Sequence, residues 1–489
     1  MRLFFTDTRK VWKVGEVAGL GHAELAELFE RRPLSRGTPI LLDEAMRPVE
    51  PVSSWFRSLA LDRRDAKTMR SYAYTVLMLL HFLLARGADL LSATEIDIRE
   101  FRLWRQDHAE EVVDDVSWDR DWAAIESLYR YLILSGEVAA RPWRSVPRGS
   151  LSSGIRPDLR VRHMELDQYL YLRDVGFGGL TPDAGLDMSF RGWCPHRNRA
   201  ACELALMTGM RIQEWSTLLL PEVGLWGGPR PPFADVDLKA CAKYGHPRSV
   251  YVPPGPMELL DPYLLLERSE IVARAQRTLR RRHRELFVID RLEADGMKVR
   301  GILNGRTTTR VIKNMKPDLR RLAVMETGGG LDPLALFVGP GGKMLTFSGW
   351  DRVRWRAWDR LKAWSGDRHA PVMPRQRWLF HDLRHTFALR LLIFLTREAL
   401  NDAEDQGLPM STLLDHMTGN PLLVVQQRLG HAHPSTTYRY IRYLKNPMRE
   451  VDEAFRQWTA AGGASYAAVA RGLMRLEDAG HATPRSVHP

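Results

Sequence analysis

Apolar positions in the first third of the chain recur at helical spacing. From Arg64 to Arg86, Tyr72, Tyr74, Leu77, Leu80 and Phe82–Leu84 form an apolar series that stops at Gly87, as expected of a core-facing helix. A second helix is predicted over Ala93–Gln106, with Thr94-Glu95 near its start. A third is predicted over Ser117–Leu134, with Ser117 as N-cap before Trp118. A shorter helical stretch lies near His22–Arg31, inside an N-terminal segment, residues 1–50, whose role the pattern does not indicate. Residues 51–150 therefore read as a helical domain. Residues 151–162, in a stretch rich in Arg, Pro, Ser and Gly, read as a linker.

Beyond the linker the pattern changes. Residues 163–445 mix helical periodicity with short strand-like runs such as Arg248–Val252 and Ala335–Val338. Ser348–Lys362 reads as a helix opened by a capping box, Ser348-x-x-Asp351, with Trp350, Trp355, Trp358 and Leu361 as core. Residues 260–330 read as an insertion: a basic helix, Val272–Leu286, then a β-hairpin over Lys298–Lys313 that turns at Asn304-Gly305. The tail, residues 446–489, is Ala-rich; with Phe455 and Trp458 it is a candidate for docking onto a neighbouring subunit. A chain of 489 residues needs more than one core. The expected fold class is mainly α with a small β-sheet (α+β).

Charge adds a partner. Lys and Arg number 71 against 59 Asp and Glu, a net charge of +12. Such a surplus suits a polyanion, nucleic acid being the commonest, although a bias towards Arg codons gives the same number. Arg63, Arg64, Lys67 and Arg70 cluster at the start of the first long helix, and Arg280, Arg281 and Arg282 lie in the insertion. Both groups are candidate contacts to a DNA backbone, and both also fit solvated faces. No apolar run reaches the roughly 18 residues of a membrane span. Asp7, Arg9 and Lys10 interrupt the apolar start too early for a signal sequence, so an intracellular location is expected. The cysteines, Cys194, Cys202 and Cys241, are odd in number and sparse, which suits structural thiols. Cys194 and His196 have no second pair at zinc-ligand spacing.

Four separated segments carry the candidate chemistry. The first is Thr208-Gly209-Met210-Arg211-Ile212-Gln213-Glu214, in which glycine turns the backbone to aim Arg211 and Glu214 follows within reach of it. In the second, Lys243 sits in a basic turn that leads into the strand Arg248–Val252. The third is His381-Asp382-Leu383-Arg384-His385-Thr386-Phe387-Ala388, where His381, Arg384 and His385 share one helical face. The paired histidines resemble a zinc helix, but the required Glu is missing and Arg384 repels a cation, so the set suits an anion. The fourth runs from Leu429-Gly430-His431 through Pro434-Ser435-Thr436-Thr437 to Tyr438, Arg439 and Tyr440. Gly430 ends one helix, and Pro434-Ser435 starts another that is expected to carry Tyr440 two turns in. If that stretch is helical, Tyr438 points about 200° away from Tyr440. Taken singly, each segment also has a bland reading as a surface ion pair, a turn lysine or a core aromatic.

Together the four segments resemble the catalytic signature of the tyrosine recombinase, or phage integrase, family. That signature is an early Arg after Thr-Gly, a hairpin Lys, His-x-x-Arg, and Leu-Gly-His with a Tyr nine residues beyond the His. Here the positions are Arg211, Lys243, His381 with Arg384, His431 and Tyr440, in the same order and with the same final spacing. The resemblance covers about residues 163–445; residues 51–150 resemble the family's core-binding domain in position. The interval from Lys243 to His381 is longer than in compact members, which is where the insertion falls.

The resemblance implies a helical core-binding domain that contacts double-stranded DNA, followed by a mixed catalytic domain. It implies transesterification at a DNA phosphodiester, with Tyr440 as nucleophile, Arg211 and Arg384 clamping the phosphate oxygens, and His431 as a further donor. Lys243 becomes the acid for the leaving 5′-oxygen and His381 the acceptor of the tyrosine proton, with Glu214 and His385 in support. No cofactor and no metal are expected. The implied assembly is a homo-oligomer, commonly a tetramer on paired sites, with accessory DNA-binding proteins open. Integration, excision or transposition of a mobile element would be the outcome. The alternatives are a type IB-like topoisomerase or telomere resolvase using the same chemistry, and an inactive architectural DNA-binding protein.

Overall fold

Short polar side chains mark where the helices of the N-terminal half begin. Asp65 accepts the backbone N–H of Lys67 at 2.8 Å and opens a helix over Ala66–Ala85. Thr94 and Asp97 exchange a reciprocal capping box at the start of Glu95–Leu103. Asp114 accepts the N–H of Ser117 at 2.8 Å and opens Asp115–Leu134. Ser117, the expected cap, is thus the residue whose N–H is capped, because a carboxylate stands three positions earlier.

The computed structural model describes residues 1–7, 37–110, 112–143, 151–152, 162–293, 297–405, 421–431, 434–438 and 440, with backbone alone given for 244, 396–405 and 435. The chain divides into two compact units, Met1–Asp158 and Leu159–Pro489. The stretch His22–Arg31, most of the linker and the tail 446–489 lie outside the described residues. Among the described residues, no helix is long and apolar enough to cross a membrane.

The first unit pairs β1 (Arg2–Phe5) with β2 (Pro39–Leu42) in antiparallel register. Four helices follow: α1 (Val52–Leu61), α2 (Ala66–Ala85), α3 (Glu95–Leu103) and α4 (Asp115–Leu134). Their core gathers Trp55, Phe56, Val76, Leu79, Phe101, Trp118, Ile125 and Leu128. One ionic group is buried in it: Arg105 bonds Asp121 at 3.0 Å, and Thr75 donates to the same carboxylate at 2.6 Å.

The second unit is α+β. Helix α5 (Leu166–Leu170) runs into a wider turn, Tyr171–Phe177. Then come α6 (Pro195–Thr208), the single turn α7 (Ile212–Trp215), and the antiparallel pair β3 (Ala234–Leu238) and β4 (Arg248–Val252). Helix α8 (Pro254–Pro262) leads into the inserted region, which begins with the expected basic helix, here α9 (Ser269–Arg281). The region then folds as a five-stranded sheet rather than a lone hairpin: β5 (Phe287–Leu292), β6 (Lys298–Leu303), β7 (Arg306–Val311), β8 (Ala323–Thr327) and β9 (Gly330–Pro333), ordered β7-β6-β5-β8-β9. The short helix α10 (Pro317–Arg320) crosses from β7 to β8. The predicted turn is present, with Asn304 at φ 51° and Gly305 at φ 76°, the left-handed pair that a two-residue hairpin requires.

Residues 335–338 do not form the expected strand. Ala335 makes an isolated bridge to Leu219, and only Val338–Gly339 (β10) pairs, with Lys343–Met344 (β11). Helix α11 spans Phe347–Ala363 and is capped by Thr346, not Ser348, while Asp351 holds Arg354 instead. Trp350, Trp358 and Leu361 are core as expected, but Trp355 is 44% exposed and lies under the Arg377 guanidinium. The described part of the chain closes with α12 (Phe380–Asp405), α13 (Pro421–Leu429) and α14 (Pro434–Tyr438).

An aromatic cluster joins the elements that carry the candidate chemistry. Trp215 of α7 meets Trp350 of α11 at 4.8 Å and Phe380 of α12 at 5.2 Å between ring centroids, in edge and tilted arrangements. Arg211 lies just before Trp215 on α7, and His381 and Arg384 lie just after Phe380 on α12. Packing of the two aromatics therefore brings both cationic segments together.

Candidate active site

Gly209 ends α6 in the left-handed conformation, φ 60°, and a Cβ at this position would collide with the Phe387 ring. This turn lets the chain reverse so that Arg211 can cap α7. The Arg211 N–H donates to Glu214 Oε2 at 2.7 Å, and its guanidinium reaches Oε1 at 3.3 Å. Glu214 has no exposed surface, and its second partner is Arg248, bound through both Nη atoms at 2.9 and 2.5 Å. Burial alone would raise the Glu214 pKa; the hydrogen bond and charge of Arg248 outweigh it and hold the carboxyl below its usual range. Arg248 opens β4, so this pair fastens the Lys243 hairpin to the Arg211 turn. Gly430, at φ 62°, lies on the same guanidinium stem: a Cβ there would stand 2.9 Å from Arg248 Cδ.

Arg384 is 1% exposed and donates to two backbone carbonyls, those of Gly209 and Leu429. One guanidinium thus binds the chain end of α6 and that of α13. Loss of solvation and then the nearby charge of Arg211 lower its pKa to about 9, which leaves it a cation at neutral pH.

Tyr440 follows α14 in a turn, not two helical turns inside it, and its N–H is held by the Thr437 carbonyl at 2.9 Å. Its side chain is 2% exposed, packed with Ala388, Leu392, Val425 and Leu429, whereas Tyr438 is 52% exposed. The two tyrosines differ in burial, but not through opposite faces of one helix, since α14 ends at Tyr438. Tyr440 Oη lies 2.9 Å from His385 Nδ1. His381, the residue expected to take the tyrosine proton, instead meets the His385 ring edge-on at 4.6 Å. His431 stacks on the Tyr440 ring, 6.1 Å between centroids and 8° between planes, and its Nδ1 lies 3.0 Å from Thr437 Oγ1.

The site is electrostatically polarised. Burial first, and then the charges of Arg384 and Arg211, hold His431 neutral with a pKa near about 3. Burial also brings His385 to about 3, with His381 and Arg384 next in effect. His381 falls to about 4, through loss of solvation and then the charges of Arg384, Arg211 and Lys243. Burial raises Tyr440 to about 12 against the opposing pull of Arg384 and Arg211. Two cations, Arg211 and Arg384, thus stand beside three neutral imidazoles and a protonated phenol, a set of groups suited to an anion.

The structure therefore brings Arg211, Glu214, His381, Arg384, His385, His431 and Tyr440 together. Lys243 stands in the exposed turn Lys243–Gly245, from which its charge reaches His381. Arg248 escaped the sequence reading. It has no helical spacing to Glu214, and only the antiparallel pairing of β3 and β4 delivers it.

The remaining basic candidates are surface residues. Arg63, Arg64, Lys67 and Arg70 are exposed in the first unit, and Arg70 lies 5.0 Å over the Phe5 ring. Arg280 and Arg281 are exposed, while Arg282 is half-buried and bonded to Glu285 at 3.2 Å. Cys194, Cys202 and Cys241 are free and buried. Among the described residues, no three His, Cys, Asp or Glu side chains group as metal ligands.

Residues 52–136 match the family model described as phage integrase, N-terminal SAM-like domain. No curated protein matches the chain in sequence. Among solved structures, the chain is similar to the XerH site-specific recombinase bound to palindromic difH substrate in a post-cleavage complex, at 16% identity and TM-score 0.45, covering 83% of each chain. It is similar to the Tn1549 transposon integrase in complex with transposon right end DNA, at 12% identity and TM-score 0.44, covering 83% of this chain and 98% of that one. It is also similar to the XerA recombinase, at 16% identity and TM-score 0.29, covering 86% and 100%. The match to the phage integrase N-terminal SAM-like domain coincides with helices α1 to α4, the region read from sequence as a helical domain.

Proposed function

We propose that this protein cleaves and rejoins DNA strands as a site-specific tyrosine recombinase, with Tyr440 as nucleophile. The observation that carries the reading is the convergence of Arg211, Arg384, His385 and His431 on one buried phenol, with His381 packed on His385. In the proposed step, Tyr440 Oη bonds to the scissile phosphorus as the bond from phosphorus to the 5′-oxygen breaks. The phenolic proton passes to His385 Nδ1, and Lys243 supplies a proton to the departing 5′-oxygen. Arg211 and Arg384 offset the charge that gathers on the non-bridging oxygens, with His431 as a further donor. The product is a 3′-phosphotyrosyl ester and a free 5′-hydroxyl. Attack by another 5′-hydroxyl reverses the step, so the phosphoester energy is conserved and no nucleotide cofactor enters the balance. Integration, excision or transposition of a mobile element is the proposed setting, with pairs of DNA sites held by an oligomer.

The test uses nicked duplexes chosen by selection for tight binding from random sequence. After incubation the protein is denatured, the DNA is digested with nuclease, and peptides are mapped by mass spectrometry. A nucleotide on Tyr440, absent from Tyr440→Phe, is the expected result. An adduct on Tyr438 would move the nucleophile. No adduct on a tightly bound duplex would reject the cleavage reading in favour of an architectural DNA-binding role.

A further inference from the structure

Within the second unit, the inserted sheet has one face that is only half covered. On β5, β8 and β9, Val288, Val324 and Leu331 pack under Ala275 and Leu279 of α9, and Gln276 bonds both backbone groups of Leu331. The opposite face of the sheet is sealed by Phe287, Ile289, Val299, Ile312 and Ala323. The β6–β7 end of the first face has no such cover. Lys298, Arg300 and Ile302 alternate outward along β6, while Val299 and Gly301 are buried. Their register partners on β7 include Thr309, opposite Arg300, and Thr307, opposite Ile302.

The charge on this uncovered half is unbalanced. Arg291 of β5 is the register partner of Arg300 of β6. Both are exposed, and neither is ion-paired among the described residues. Like charges directly opposite on neighbouring strands destabilise a sheet, so this placement costs stability unless an anion joins the two. Lys298 extends the row and is balanced at the surface by Glu293 at 3.3 Å. A flat row of cations with threonine hydroxyls beside it suits a repeating polyanion, which offers an acceptor at each phosphate.

The ribbon is also fixed to the candidate site. The Lys313 carbonyl, just past β7, accepts the Ala240 N–H at 3.0 Å, and Lys313 Nζ bonds Asp237 at 3.3 Å; both partners belong to the hairpin that carries Lys243. Arg320, fully buried in α10, grips Glu222 through both Nη atoms and donates to the Thr217 carbonyl at 3.3 Å, two residues past α7.

We infer that the β6–β7 ribbon, through Arg291, Lys298 and Arg300, is a second contact surface for the backbone of double-stranded DNA, continuous with the Lys243 hairpin. This rests on the reading that the chain acts on DNA, and it assigns the inserted sheet a part in it. The ribbon extends the bound stretch beyond the cleaved phosphate and reads no base.

The test compares the full-length protein with Arg291→Gln/Lys298→Gln/Arg300→Gln. The probe is a fluorescent duplex of mixed sequence, titrated between low and moderate salt. Each phosphate contact contributes about 0.9 to the slope of log K against log salt. The triple variant should flatten that slope by about 2 to 3, and Arg291→Lys/Arg300→Lys should keep it. An unchanged slope in a folded triple variant overturns the proposal, as does the same flattening in Arg352→Gln/Arg356→Gln/Lys362→Gln on the outer side of α11. The Tyr440 adduct is scored separately. An adduct with an unchanged slope rejects the ribbon alone; a flattened slope without an adduct rejects the cleavage reading and keeps the ribbon.

Discussion

The phenol of Tyr440 and the imidazole of His385 meet at 2.9 Å in the interior of the second unit, with Tyr440 only 2% exposed. At neutral pH the proton rests on the phenol, because burial raises Tyr440 to about 12 and brings His385 to about 3. The neutral imidazole can accept the phenolic hydrogen on Nδ1 in the tautomer that carries its own proton on Nε2. If it does, His385→Phe should keep DNA binding and lower single-turnover cleavage of a nicked duplex by about 10²- to 10⁴-fold. A phenylalanine variant with the original rate would leave His385 as packing only.

Arg384 holds two backbone carbonyls and is the proposed phosphate clamp, and its variants should separate both from binding. Arg384→Ala removes the proposed phosphate clamp and strands the buried carbonyls of Gly209 and Leu429. Each carbonyl left without a donor costs about 1–3 kcal/mol. Cleavage should be nearly abolished and the melting temperature lowered, while duplex binding changes little. Arg384→Lys, which has no fork to span both carbonyls, should lose cleavage as well. Normal cleavage by either variant would remove Arg384 from the clamp.

Glu214 and Arg248 are a buried pair that should reveal itself in a double-variant cycle. Arg248→Met leaves a fully buried carboxylate without its main partner, a loss of about 3–5 kcal/mol. Adding Glu214→Leu should restore much of that stability, because the stranded charge is gone. Cleavage should stay low in the double variant, since Arg211 has lost the carboxylate that aims it. Denaturant unfolding and cleavage are read on the parent, the two single variants and the double variant; additive stability losses would deny the coupling.

Gly209 is required twice over, by its backbone conformation and by the Phe387 ring against it. Gly209→Ala should cost more than the roughly 1–2 kcal/mol that a left-handed residue carries. Gly87→Ala serves as the reference, since Gly87 is also left-handed, at φ 69°, with nothing within 4 Å of its added Cβ. Equal destabilisation of the two variants would show that the ring imposes no further demand.

Acid should weaken the second unit early. His385 and His431 are held neutral in the folded state with pKa values of about 3, against about 6.5 when unfolded. Between those values the unfolded chain binds protons that the folded one refuses. Stability therefore falls as pH drops from about 6.5 towards about 3, by at most about 1.4 kcal/mol per pH unit for each histidine. Thermal unfolding across that range should show the decline, and His385→Phe should make it shallower. A flat profile in the parent protein would contradict the depressed values.

The sequence by itself determined a good deal. Helical periodicity with a terminal glycine located α2, and the Asn304-Gly305 pair located the β6–β7 turn, because both signals are written within a few residues. The four motif segments were legible for the same reason: Arg211 with Glu214, and His381 with Arg384 and His385, are neighbours by helical geometry. Local chemistry also misled at three places. Asp114 outcompetes Ser117 and Thr346 outcompetes Ser348 for the N-cap, and Trp355 has the same spacing as core residues but faces outward.

Only the tertiary structure decided which of those residues touch. Nothing in the spacing ranks His385 above His381 as the neighbour of Tyr440. The turn after α14 and the packing of Tyr440 against Val425 and Leu429 choose between them. Arg248 reaches Glu214 only because β3 and β4 pair, and Arg384 reaches two carbonyls only because α6 and α13 end beside α12. The inserted residues formed a five-stranded sheet with one face sealed and the other half covered, rather than a lone hairpin, because strands far apart in sequence had apolar faces to bury. Periodicity records what one segment needs to hide; which segment hides it, and which polar groups are then left facing one another, is settled by burial across the whole chain.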